Sequence, residues 1–528
     1  MSTSVHPLIR RLAEVLALRP EAPAIEFDGH WHTWGELAGP AARIAALTRT
    51  HAVDGRAPIG ILLRNTPAHV TAFLGVLGAG GTVVAINPSR GEERTRADLI
   101  ELDLPLVLGL PGDLAAVVPD DTPTGSLAGL FTGPTPEYGV DPLTCDVAVR
   151  MLTSGTTGPP KRIDLGYDML AHSVIGTGFR TLPAPAEPRT GVAIVNAPLV
   201  HIGGVYRVLQ CVAEARPFVL LPRFELESWA RAVRTHRPRA VSLVPAALRM
   251  VLHSELTRED LAGVAVVTSG TAPLAAADAD AFYEKFGIPV LTSYAATEFG
   301  GGVAGWTLAD HREFWATKRG SVGRAQGGAK LRVIADDGGA LPAGEQGLLE
   351  VAPGQLGPDA GWIRTTDLAR LDDDGFLWIL GRADQAIIRG GFKVLPDDVR
   401  GALEAHRAVR GAAVVARPDP RLGETPVAMV ELRSGAHTDA DDLTAFLRDR
   451  LAGYEVPTEI AVVPEIPRTP SGKPDLGAVR RHFADPAVPG GSHPTAGAEV
   501  AAAGAQVSPA AGEAPVHGAI AAGGEHVR

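Results

Sequence analysis

The chain has 528 residues, is 45% hydrophobic and carries a formal charge of -11, so it holds enough apolar material for more than one domain. That negative balance excludes the basic surface that nucleic acid or an anionic membrane requires. Its two cysteines, Cys145 and Cys211, have no metal-ligand spacing, which excludes a disulfide framework or zinc site and fits a reducing, cytoplasmic setting.

The N-terminal segment MSTSVHPLIRRLAEVLALRP predicts an amphipathic helix, because Arg10, Arg11 and Glu14 interrupt the apolar run that a secretory signal needs. The most apolar stretch, 71–86, contains four glycines and falls short of the roughly 20 residues of a membrane span, so no span is expected. Up to about residue 380, helical patterns such as TPAHVTAFLGVLGAG alternate with short β-rich runs, TVVAIN, VAIVNAP, AVSLVP and VAVVTSG. That rhythm predicts layered α/β structure with largely parallel sheets. Around 381–391 the chain turns polar and Gly-rich, GRADQAIIRGG; a helix over 396–406 and strands over 411–416 and 425–432 follow. The expected fold class is therefore α/β, with a large N-terminal domain of layered α/β subdomains (1–383) and a small α+β C-terminal domain (384–484). Residues 485–528 are dominated by Ala, Gly and Pro and have no aromatic residue, a composition expected to be disordered.

The densest chemical signal is MLTSGTTGPPK, residues 151–161. Its glycines, Gly155 and Gly158, let backbone N–H groups crowd an anion. Thr153, Ser154, Thr156 and Thr157 add hydroxyl donors, and Lys161 adds charge. The register is not that of a Walker A loop. A lone SGTTG would fit a surface linker nearly as well. The whole string resembles the signature loop of the adenylate-forming superfamily of acyl- and aryl-CoA ligases, adenylation domains and luciferases, and is most similar to the class I acyl-CoA synthetases.

The resemblance continues in order along the chain. SYAATE, 293–298, is similar to the family's Tyr-Gly-x-Thr-Glu element and implies that Tyr294 stacks on adenine, Thr297 meets phosphate and Glu298 holds Mg2+, with Ser293 beside them. SGTAPL, 269–274, resembles a turn lining the adenine and acyl pockets through Gly270, Thr271 and Ala272. WIRTTD, 362–367, implies that Asp367 accepts both ribose hydroxyls, although Thr366 replaces the usual glycine and leaves the local backbone open. GRAD, 381–384, matches the hinge, with Arg382 on the ribose side and Asp384 as pivot, so the 1–383 unit would be the AMP-binding domain and 384–484 a mobile one. GGFKV, 390–394, resembles the segment that enters the site for the second half-reaction, with Lys393 as its basic residue and Asp398 in place of a glutamate. PRTPSGKPD, 467–475, resembles the final motif, whose lysine, here Lys473, bridges the acid and the α-phosphate.

The resemblance implies an AMP-forming ligase using ATP and Mg2+: an acid becomes an acyl adenylate and then passes to CoA with release of AMP. Catalysis would rest on positioning and electrostatics, with Lys473, Glu298 and Thr156 in the catalytic roles. Residues 198–205, 242–245, 270–272 and 299–302 would line the acid pocket, with His201, Gly203, Val205 and Gly300 as its residues. So few charges lie there that an apolar or aromatic carboxylic acid is the expected small-molecule substrate. An amine acceptor, giving an amide synthetase or a diazotising enzyme, and a carrier-protein thiol fit the same motifs.

Overall fold

The computed structural model describes residues 5–132, 143, 145–153, 161–358, 360–389, 392–469 and 472–484. The opening segment forms the helix Pro7–Leu18, which buries Leu8, Ile9, Leu12, Val15 and Leu16 along one face, the spacing of an amphipathic helix. The apolar stretch 71–86 divides between the helix Pro67–Gly78 and the strand Thr82–Ile86. Among the described residues no helix is long and apolar enough to cross a membrane.

Helices and sheets alternate in layers, as expected. A six-stranded sheet runs in the order Thr124–Ser126, Leu106–Gly109, Pro58–Leu62, Thr82–Ile86, Val147–Thr153, Lys161–Gly166. It is parallel except for its last pair, a hairpin. A four-stranded sheet orders His30–Thr33, Pro23–Phe27, Phe218–Leu220 and Ala193–Val195. Residues of both sheets and their helices, among them Trp34, Phe73 and Phe218, share one continuous core.

A five-stranded sheet orders Ala240–Ser242, Val266–Ser269, Val290–Ala296, Gly301–Gly305 and Arg324–Ala325. Its first three strands are parallel and its last two antiparallel. The expectation of largely parallel sheets fails over 330–382. There Lys330–Ile334, Gln346–Ala352, Ile363–Leu371 and Leu377–Arg382 form an antiparallel meander. The connections are shorter than the dozen or so residues that a parallel crossover needs.

The last sheet contains Phe392–Val394, Ile387–Arg389, Gly423–Leu432, Val409–Asp419 and Glu459–Val463. Both long strands exceed their predicted spans, and the preceding helix, Pro396–Glu404, stops two residues early. Successive residues alternate between faces. Ala412 and Val414 pack in one cluster with Val399, Leu403, Leu443 and Leu447, while Ala413 and Val415 pack in another with Val479 and Phe483.

One local signal is a capping box at the helix Trp34–Thr50. Glu36 N donates to Thr33 Oγ1 at 3.2 Å and Thr33 N donates to Glu36 Oε2 at 2.8 Å. Thr33→Ala removes the N-cap acceptor and is expected to lower stability by about 1 kcal/mol, measured as an earlier midpoint in chemical denaturation.

Candidate active site

In the five-stranded sheet the three parallel strands end with their carboxyl edges together, and the predicted segments leave from that edge. In α/β sheets this edge is where ligands gather. Gly270, Thr271 and Ala272 follow the strand Val266–Ser269. A Cβ on Gly270 would stand 2.9 Å from Ser293 Oγ on the neighbouring strand, so the absent side chain lets the two segments close. Thr271 has φ 72°, a left-handed conformation that disfavours a β-branched residue by about 1–2 kcal/mol. Tyr294 lies near the end of the strand Val290–Ala296, and Thr297 and Glu298 form the short turn Thr297–Phe299 that follows.

Tyr294 reaches across to the meander and its hydroxyl donates to Asp367 Oδ2. Burial, and then the Asp367 carboxylate, push the phenol's pKa far up, so the hydroxyl remains a donor. Burial also raises the Asp367 pKa, opposed by the Tyr294 hydrogen bond and the Arg382 charge. Asp367 and Arg382 are cross-strand partners. The Arg382 guanidinium holds Asp384 through two bonds of 3.0 Å, donates to Thr366 Oγ1, and has Nε 3.9 Å from Asp367 Oδ1. Thr366 thus leaves the strand intact and anchors Arg382.

Lys473 comes from the far end of the chain. Its backbone carbonyl accepts from Thr469 N at 2.7 Å, and Arg468 Nη1 donates to Gly472 O at 3.3 Å. Arg468 in turn donates to Glu431, a carboxylate only 1% exposed that also meets Arg410 at 2.8 Å. The Lys473 side chain keeps accessible surface, but the protein crowded around it lowers its pKa by desolvation. Arg382 lowers it further, and Glu298 opposes. His201, at the start of the helix Ile202–Ala213, has its pKa lowered by burial and then by Lys473, and its Nε2 is buried with no protein partner among the described residues.

Tyr294, Asp367 and Arg382 thus meet directly, and Lys473 lies within electrostatic reach of Arg382, Glu298 and His201. Thr153 and Lys161 are the last paired residues of the hairpin Val147–Thr153/Lys161–Gly166. Ser154, Gly155, Thr156, Thr157 and Gly158 lie outside the described residues, as do Gly390 and Gly391; Lys393 pairs with Ile388 in the strand Phe392–Val394. Gly203 is exposed on the helix carrying His201, whereas Val205 has no accessible surface and belongs to the core. Gly300 has φ 71°, and a Cβ there would stand 2.3 Å from Met169 Cγ. Both the turn and this close approach require glycine.

Sequence reasoning missed the support behind these groups. Asn65, 4% exposed, donates through Nδ2 to Ala197 O at 3.0 Å and Leu221 O at 3.1 Å, and accepts from Leu199 N at 2.8 Å. It fixes the loop that leads to His201. The Gly300 carbonyl accepts from Ser173 Oγ at 2.9 Å and from the Tyr206 hydroxyl. Among the described residues no group of three or more His, Cys, Asp and Glu gathers as a metal cage. Glu298, exposed at the cleft, offers a single hard oxygen donor, which suits Mg2+ shared with phosphate oxygens.

A family model described as AMP-binding enzyme matches residues 12–356, and one described as AMP-binding enzyme C-terminal domain matches residues 399–473. The chain is similar to a feruloyl-CoA synthase of an Amycolatopsis species, 30% identical over 488 residues that cover 88% of this chain and 97% of the relative. It superposes on an amide bond synthetase from Marinactinospora thermotolerans with a TM-score of 0.75 and 26% identity, covering 90% of this chain and 100% of that one. The ATP-bound MatB of Rhodopseudomonas palustris shares the fold, with a TM-score of 0.78 and 24% identity over 90% of this chain and 99% of that one.

Because Lys473 is the second cause of the depressed His201 pKa, Lys473→Ala should let that pKa rise. Burial remains, so it should stay below the ordinary histidine value of about 6.5. An NMR titration of the His201 ring in both proteins measures this.

Proposed function

We infer the reaction from one premise: the chain belongs to the AMP-binding enzyme family and is an AMP-forming acid ligase. We propose that it joins a small carboxylic acid to ATP as an acyl adenylate and pyrophosphate, then transfers the acyl group to CoA with release of AMP. The observation that supports this reading is that Lys473, on the loop held by Thr469 and Arg468, lies within electrostatic reach of Arg382, Glu298 and His201. An oxyanion attacking the α-phosphorus needs a cation at that place and no side-chain nucleophile.

In the first half-reaction the acid's carboxylate oxygen attacks the α-phosphorus and the bond to pyrophosphate breaks. Lys473 neutralises the attacking oxygen and the α-phosphate. Asp367 accepts the ribose hydroxyls, Arg382 lies on the ribose side, and Tyr294 stacks on adenine with Gly270, Thr271, Ala272 and Ser293 around it. Thr297, Lys161 and the loop holding Thr153, Ser154, Gly155, Thr156, Thr157 and Gly158 meet the phosphates. Mg2+, held by Glu298 and phosphate oxygens, would supply charge neutralisation on the triphosphate. His201, neutral by its lowered pKa, stands at the acid with Gly203 and Gly300. For the second half-reaction residues 384–484 would rotate about Asp384, withdraw Lys473 and bring in the segment of Lys393, so that one cleft serves two steps.

CoA is the proposed acceptor because the feruloyl-CoA synthase matched here is a CoA-forming relative along nearly its whole length. An amine acceptor is the second reading, favoured by the likeness to an amide bond synthetase over the full length of that protein. Incubation with ATP, Mg2+, an acid panel and either CoA or amines, read by mass spectrometry, separates them: an acyl-CoA supports the first, an amide without thioester the second.

Lys473→Ala should slow pyrophosphate release by about 100-fold or more while nucleotide binding falls far less. Since only the ammonium form serves, activity is retained below the Lys473 pKa and lost as pH rises through it. Desolvation and Arg382 lower that pKa, so the alkaline limb should fall below the value of about 10.4 for a free lysine. Arg382→Gln removes one depressing charge and should move the limb to higher pH, read from the pH profile of kcat/KM.

A further inference from the structure

The helix Pro245–Leu252 ends in two side chains that reach across to residues 384–484. Arg249, in its last turn, donates through Nε to Asp278 Oδ2 at 2.7 Å, in the first turn of the helix Ala276–Phe286, and through Nη2 to Glu404 Oε2 at 3.1 Å. Glu404 closes the helix Pro396–Glu404. His253, the C-cap of the same helix as Arg249, has its Nε2 3.1 Å from Arg433 Nη1. A guanidinium only donates, so the ring nitrogen accepts, and a cation suits the negative end of a helix. Arg433 stands two residues beyond Glu431, the acid from which the Lys473 loop is held through Arg468. One helix end thus seats residues 384–484 at two points, and the second point adjoins the anchor of the catalytic loop.

An open surface ion pair contributes little. Here the Arg249 and Glu404 side chains are only 17% and 10% exposed, so salt screens them less. Each also has partners on its own side. Arg249 keeps Asp278, while Glu404 accepts from Arg400 Nη1 at 2.9 Å and from Ala412 N at 3.4 Å. Breaking a buried pair is costly chiefly when one charge is left uncompensated. Parting Arg249 from Glu404 leaves neither alone, so this contact can open and close repeatedly.

We propose that Arg249 is a positioning residue for adenylation: by holding Glu404, with His253 holding Arg433, it seats residues 384–484 where Lys473 lies within reach of His201 and Glu298, and its release admits the second half-reaction. This rests on the two-step reading above and adds the contact that sets how the chain divides its time between the steps. Arg249 takes no part in bond making and acts through Lys473.

The full chain is compared with Arg249→Met, Arg249→Lys and His253→Ala. In Arg249→Met the His201 ring pKa, followed by NMR, should rise close to its value in Lys473→Ala, because the ammonium that depresses it has withdrawn; this readout needs no acid. With ATP, Mg2+ and the panel acid that releases pyrophosphate fastest, kcat for that release should fall by about five- to tenfold, while transfer from the presynthesised adenylate to its acceptor holds or quickens. Arg249→Lys keeps the charge and should recover part of the loss. His253→Ala truncates an exposed side chain and should move both readouts the same way by less, so the test does not depend on the folding of Arg249→Met. Unchanged pyrophosphate release, or an unmoved His201 pKa, in the folded variants overturns the proposal and leaves the adenylation reading standing, as does an equal loss in both half-reactions, which marks a merely structural role. Pyrophosphate release with no acid of the panel overturns the adenylation reading and the proposal with it.

Discussion

The hydrogen bond from Tyr294 to Asp367 joins two sheets of different construction, one with a parallel heart and one an antiparallel meander. Asp367, Arg382 and Asp384 are arranged from that junction. With Asp367 held by a phenol, its cross-strand partner Arg382 is aimed at Asp384 and Thr366, and the Arg382 charge reaches Lys473. Two cations in one cleft repel, more strongly as water is excluded. They are tolerable because Asp367, Asp384 and Glu298 stand among them. Bound phosphates would add to that compensation, which is why the arrangement suits a nucleotide rather than an apolar guest.

Much of this was legible in the sequence wherever the signal is local. The apolar run after Ala240 was read from its β-rich pattern, and the SGTAP turn and the SYAATE string from the family resemblance; each ends a strand at the same edge. Residues 330–382 were misjudged because an antiparallel meander and a parallel layer use the same short β-rich runs; only the lengths of the connections separate them. Asn65 and Gln355 were invisible for a different reason. Asn65 bonds to Ala197, Leu199 and Leu221, and Gln355 to Gly302; neither bond leaves any periodicity in the chain. Val205 shows the converse error, since adjacency to His201 in sequence put it beside the acid, while helical geometry turns it into the core.

Polarity changes along a single strand–turn–strand. Glu298, on the turn, stands among charges, whereas Gly302, four residues on, borders a cavity lined by no Asp, Glu, Lys or Arg. Gly300 makes the change of direction possible: Met169 occupies the place of its missing side chain, and its carbonyl is pinned by two hydroxyls.

The loop of Lys473 hangs from Glu431, a fully buried acid, by way of Arg468. Glu431 belongs to the strand Gly423–Leu432, at the centre of the last sheet. The position of the ammonium is therefore written into the interior of that sheet rather than into the cleft. A genetic screen scored on turnover alone would count lesions in this interior as active-site lesions, and a map of sensitive positions would show two islands, one around the cleft and one around Glu431, belonging to a single functional unit.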